Sequence, residues 1–281
     1  MSKGAPFASG VAWLSTSISL FRSQAARLLL LGLLLQLLAG ASQLGILALL
    51  FLLAAPALNA GMLEAMHRAA EDQRPSLMTL FAAFQGSGAL LSLFWFGALG
   101  LLLMLLAMGF FVAPELAKVD PDLLGRIQSG DQNAVLELSP LLMQQVLWGM
   151  LLGLGSTLVL GFFAIPRIWF ARRSLPASLW DGVLMGMRQW RALTVLGLLL
   201  GLLAVPVALL SGTVVAAQLG SKEPSLVLTT LLLAVVVLYQ VLGFAAQYVA
   251  YRSSFGIETG RAAPPAAPDQ EPPRQDDQFE A

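Results

Sequence analysis

Cysteine is absent and histidine occurs once, as His67. The first absence excludes disulfides, thiolate metal centres and cysteine nucleophiles; the second excludes a multi-histidine metal site. Charge is scarce too: 11% of residues, where an average soluble domain carries about 25%. Sixteen basic and sixteen acidic residues cancel, so no net field points to nucleic acid. What fills the chain is apolar, 57% of 281 residues at a mean hydropathy of +0.77. That composition specifies an all-α integral membrane protein.

An ionised side chain in hydrocarbon costs at least about 2.5–3.5 kcal/mol, so charge-free windows locate the spans. Arg27 to Glu64 encloses 36 uncharged positions, Arg74 to Glu115 encloses 40, and Glu137 to Arg167 encloses 29. Arg191 to Lys222 encloses 30 and Glu223 to Arg252 encloses 28. Each exceeds the roughly 20 residues that cross a 30 Å core. The first window would make one helix of about 54 Å, too long to span singly. Its middle, Gly40-Ala41-Ser42-Gln43, suits a tight turn, which splits it into two helices. The expected spans are therefore 25–40, 44–63, 89–113, 141–165, 192–217 and 225–251, with an outer loop over 114–140.

The basic residues fix an orientation. Six spans put Lys3, Arg22, Arg27, Arg68, Arg74, Arg167, Arg172, Arg173, Arg188, Arg191, Arg252, Arg261 and Arg274 on one side. Only Lys118, Arg126 and Lys222 remain on the other. Basic residues accumulate on the cytoplasmic side, so both termini are expected there. The first apolar run, some thirty residues from Leu28, is too long for a signal h-region of about 7–15, so a retained N-terminus is expected.

Three spans are preceded by an amphipathic stretch. Val11, Leu14, Ile18 and Phe21 recur at helical spacing in the first. Pro75-Ser76 opens the second, with Leu77, Leu80, Phe81 and Phe84 on one face, and Pro176 precedes Leu179, Val183, Met187 and Trp190 in the third. The chain thus reads as an imperfect threefold repeat of interfacial helix, outward span and return span, with units starting near 11, 76 and 177. These helices either insert in the bilayer surface or cover the bundle; the pattern leaves both open. In the outer loop, Pro121-Asp122 followed by Leu123, Leu124 and Ile127 suggests a short helix. Residues 1–10 form a short N-terminal segment, and the tail over 256–281, rich in proline, alanine, glutamine and acid, is expected to be disordered.

Few residues could carry chemistry. Glu64, His67, Arg68 and Glu71 share a helical face, and Glu64-Ala65-Met66-His67 matches a Glu-x-x-His ligand pair. Such a site needs a second pair from another helix, and no second histidine exists, so the expectation is a solvated helix with a Glu64–Arg68 ion pair and no metal or cofactor. Arg167, Arg172, Arg173, Arg188 and Arg191 crowd one connector; they are candidate contacts for lipid headgroups, although inward loops are generally basic. Gly149, Gly153, Thr157 and Gly161 recur every fourth residue, as do Gly197 and Gly201, a spacing that lets helices pack closely. Pro206 predicts a kink, and Gln36, Asn59, Gln144, Gln145, Gln240 and Gln247 are expected to bond between helices. No nucleophile–base pair, phosphate loop or dinucleotide fingerprint occurs, so an enzyme is not expected.

The run Ala55-Pro56-Ala57-Leu58-Asn59-Ala60-Gly61 through Arg68 to Pro75, then Leu80-Phe81 and Phe84, resembles uncharacterised bacterial inner-membrane proteins. Ile165-Pro166, Pro176 and the Trp190 helix extend that likeness. The group is similar to the YciC-type family and to the membrane domain attached to some glycerophosphodiester phosphodiesterases. The resemblance covers about residues 11–255 and implies architecture only: six spans with interfacial helices in the bacterial inner membrane. It brings no catalytic domain and no ligand residues. The expected function is a non-enzymatic membrane protein that organises anionic lipid or membrane-protein partners at its cytoplasmic face. The alternative, suggested by the repeat, Pro206 and the glycine-rich spans, is a transporter or channel; with no charge in any span interior it would pass neutral or lipid-like molecules.

Overall fold

The computed structural model describes residues 6–41, 46–86, 88–129, 140–220 and 225–256, and every element among them is helical. α1 (Pro6–Ser23), α2 (Ala25–Ala41) and α3 (Ile46–Ala70) come first. A 3-10 helix (Leu77–Phe84) precedes α4 (Leu90–Leu116) and α5 (Pro121–Gln128). α6 (Pro140–Phe170), α7 (Leu175–Arg188), α8 (Trp190–Gly220) and α9 (Leu226–Phe255) follow.

Five helices, α3, α4, α6, α8 and α9, are each long and apolar enough to cross a bilayer. In hydrocarbon a helix satisfies its own backbone, so these long uncharged runs have no better conformation, and the chain is a multi-pass membrane protein. The 36-residue window is indeed two helices, since α2 ends at Ala41 and α3 begins at Ile46; Ser42 and Gln43 lie outside the described residues. At 17 residues α2 is about 25 Å long, short of a 30 Å core. It reaches spanning length only together with α1, and the two are bent by 97° at Gln24. The Gln24 carboxamide donates to the Gln73 carbonyl at 2.7 Å, which holds that corner against the end of α3. α8 runs unbroken through Pro206. α5 begins where the outer loop suggests, with the Asp120 carboxylate accepting the Asp122 N–H at 3.0 Å and Pro121 opening the first turn. The rest of that loop over 130–139 and the tail from 257 lie outside the described residues.

Burial is one-sided along the bundle. α2, α4 and α8 start, and α3, α6 and α9 finish, at the end that carries most of the charge. There Ala60–Met66 of α3, Phe163–Trp169 of α6 and Ala245–Tyr251 of α9 are buried almost without interruption. Close backbone approach makes this possible. A Cβ on Gly61 would land on the backbone of Leu80, and one on Gly32 would lie 2.6 Å from Val241. Toward the other end Leu105, Phe110, Leu151, Leu209 and Leu226 are exposed and form the apolar surface that hydrocarbon covers.

The helices that precede spans pack part of their apolar residues against the bundle, among them Leu14, Phe21, Leu80, Phe81 and Leu179, and turn the rest outward. α1 buries Gly10, Trp13 and Ser17 and leaves Val11 exposed; the Ser17 hydroxyl donates to the Trp13 carbonyl at 2.6 Å, so it is buried satisfied. The second stretch is a 3-10 helix that buries Thr79, Leu80 and Ala83, with Leu77, Met78 and Phe84 exposed. α7 buries Ser178 and Gly182 and exposes Trp180, Val183, Leu184 and Met187. The bundle takes Trp13 and Leu80 as well as the small Gly10, Ser178 and Gly182, and leaves much of the apolar face outward. A membrane offers no reason to hide that face.

Two return helices end alike. Asp72 after α3 and Arg172 after α6 adopt left-handed φ values of 55° and 53°, each shortly before the proline that opens the next short helix. At the first, the Gln73 N–H reaches back to the Arg68 carbonyl at 2.8 Å, a Schellman closure without glycine.

Candidate functional site

The helix ends that form the tight core carry a layer of polar side chains. Glu64 and His67 of α3 are buried rather than solvated, because Trp169 of α6 and Tyr248 of α9 cover them. One Glu64 oxygen accepts the Arg68 Nε–H at 3.1 Å, the expected pair one turn apart, and the other accepts the Trp169 indole N–H at 3.2 Å. His67 Nδ1 lies 3.0 Å from the Tyr248 hydroxyl and its Nε2 lies 3.3 Å from Glu71. Phe170 packs edge-on against His67 and stacks with Tyr251 at 5.6 Å. No group of three metal-ligating side chains forms among the described residues. The arrangement ties α3, α6 and α9 together and fixes their rotation about their axes.

A second polar link comes from a helix defect. Pro166 has no N–H, so the Phe162 carbonyl one turn earlier loses its helical donor. Gln247 of α9 supplies one, with Nε2 at 3.0 Å from the Phe162 carbonyl and 3.3 Å from that of Gly161.

The five arginines of the connector separate into two kinds. Arg167 turns inward: it is 5% exposed, donates through Nε and Nη2 to Asp181 at 3.2 and 2.8 Å, and lies over the Phe255 ring. Its charge is thus committed inside the fold, and Asp181, which the sequence pattern places merely off the apolar face, is its partner. Arg172, Arg173, Arg188 and Arg191 remain at the surface. Arg172 lies over the Trp169 ring at 4.5 Å and Arg191 over that of Trp190 at 5.4 Å, cation–π contacts that steady both guanidiniums. Beside them runs the stripe Trp180, Val183, Leu184 and Met187, at spacings of three, four and seven along α7, all exposed.

The two glycine series also diverge. Gly149 and Gly153 seat α6 on α4, where an added Cβ would come within 2.8 Å of Met108 and 2.7 Å of Met104. Thr157 fills the space left by Gly100, and Gly161 faces Phe96. Gly197 and Gly201 of α8 have nothing within 4 Å of an added Cβ, so they make no close contact. Spacing identifies small residues but not the neighbour they need. The Trp169, Asp181 and Gln247 pairings link distant segments and leave no local signal; only Gln247 in an apolar run and Pro166 hint at theirs. Comparison with family models, with curated proteins and with solved structures found no match for the chain.

Proposed function

We propose that this chain is a non-enzymatic protein of the bacterial inner membrane that binds anionic lipid, or a membrane protein presenting similar charge, at its cytoplasmic face. The likeness to YciC-type proteins and the placement of basic residues support six spans with both termini cytoplasmic. In this topology α1 and α2 together enter as a bent first span, and the order of short helix, outward helix and return helix recurs three times.

One observation carries the reading. The stripe Trp180, Val183, Leu184 and Met187 is left unpacked by the bundle and is bordered by the exposed Arg172, Arg173, Arg188 and Arg191. An apolar stripe flanked by guanidiniums fits a helix lying in the interface of an anionic leaflet. It favours insertion over bundle cover. Each arginine contributes about 1 kcal/mol of attraction near such a surface. The test is the rise in thermal midpoint of the purified protein in neutral detergent on adding phosphatidylglycerol, compared with phosphatidylcholine. R172E/R173E should lose the phosphatidylglycerol-specific rise and keep its membrane insertion. An undiminished rise overturns the proposal.

A further inference from the structure

A cavity of about 490 Å³ lies among α3, α4, α6, α8 and α9, beyond the polar layer and away from the arginine face. Its lining is almost wholly apolar and contains no Asp, Glu, Lys, Arg or His. Leu154 and Leu158, which line it, are exposed on α6, so it reaches the apolar flank of the bundle. Four neutral polar side chains face it: Asn59, Thr157, Gln240 and Gln247. Two of these are occupied, since Thr157 donates to the Gly153 carbonyl and Gln247 to α6.

The other two are not. Asn59 makes no hydrogen bond among the described residues, and the Gln240 side-chain oxygen is buried with no partner. Pro56, also in the lining, removes the helical donor for the carbonyl of its neighbour in the lining, Leu52. A buried acceptor without a partner is costly in hydrocarbon, so the Gln240 oxygen calls for a donor, and the half-buried Asn59 carboxamide stands open to one partner more. Water alone is a poor answer. The volume equals on the order of fifteen waters at about 30 Å³ each, and each buried water needs two to four polar partners. Two free carboxamides cannot supply that. A charged ligand has no counter-ion in the lining, and a pure hydrocarbon leaves both amides unsatisfied.

We propose that this cavity is a binding site for a neutral lipid-like molecule bearing a hydroxyl group. The chain packs against the apolar wall, while the hydroxyl, donor and acceptor at once, bonds to the carboxamide of Asn59 or of Gln240, each of which offers both. The size falls within the usual range of ligand pockets, about 300–1,000 Å³. The proposal does not depend on the arginine face.

The test uses two diazirine photoprobes, hexadecanol and hexadecane, with the full-length protein in detergent micelles. Wild type should crosslink the alcohol within α3 or α9 about tenfold more than the alkane, the fold-change expected for satisfying a buried amide. N59L/Q240L, which removes polarity without opening space, should equalise the two probes. G243L should abolish labelling by both, because a side chain at this lining glycine meets no atom within 4 Å of its Cβ and fills the cavity without displacing its walls. R172E/R173E should label as wild type. Equal labelling by the two probes in wild type, or an alcohol preference that persists in N59L/Q240L or G243L, overturns the proposal. Should N59L/Q240L fail to fold, G243L decides alone.

Discussion

The bond from Gln247 to the Phe162 carbonyl owes its value to Pro166, and that dependence can be measured. In membrane bundles a side-chain hydrogen bond contributes about 0.6 kcal/mol on average and up to about 1.7, because a broken bond usually finds another partner. At Phe162 no other donor is at hand: residue 166 has no N–H, and the carbonyl is held at 3.0 Å from Gln247 in a buried segment. Q247L should therefore cost about 1.5 kcal/mol, near the top of that range. In a P166A background, the backbone N–H that the substitution introduces donates to the Phe162 carbonyl and restores the helical bond, so Q247L should cost only about 0.5 kcal/mol. The coupling of about 1 kcal/mol stands clear of the roughly 0.3–0.5 kcal/mol scatter of independent sites. Unfolding of the four proteins in mixed micelles of increasing SDS fraction reads it directly. A coupling below about 0.3 kcal/mol would refute the idea that the glutamine replaces the donor proline lacks.

Two further outcomes follow from the packing. D181N removes the carboxylate from an arginine that is 5% exposed and should lower stability by about 2–3 kcal/mol, whereas R173Q at the exposed neighbour should change it by less than about 0.5; similar midpoints for the two in thermal unfolding would contradict the inward placement of Arg167. Alanine at Gly153 should destabilise by about 1–3 kcal/mol through its clash with Met104, while alanine at Gly201 should stabilise by about 0.5–1 kcal/mol through helix propensity alone; effects of the same sign in the micelle assay would mean the two glycines share an environment.

The spans are legible because a charge in hydrocarbon is so unfavourable that its absence over 28 or more residues leaves little else for the chain to do. The break between α2 and α3 and the helix start at Asp120-Pro121 are legible for a local reason: small or capping residues act within a few positions. The α6 stripe from Gly149 to Gly161 is readable, and the identical spacing at Gly197 and Gly201 misleads, since a gap is useful only if a second helix fills it. The pattern leaves the faces of α1, the 3-10 helix and α7 open, because an apolar side chain is at home both in the bundle and in hydrocarbon. Here Gly10, Ser178 and Gly182 go inside because they are small. Glu64 and His67 look solvated because nothing near them in sequence announces Trp169 or Tyr248.

Because the buried residues concentrate where α3, α6 and α9 finish, that end should be the last to loosen, since opening it breaks interdigitated contacts of three helices at once. At the other end the tight contact is that of α6 with α4 at Gly149 and Gly153, so backbone amides of α8, whose Leu209 faces outward, should exchange before those of α4 and α6 there.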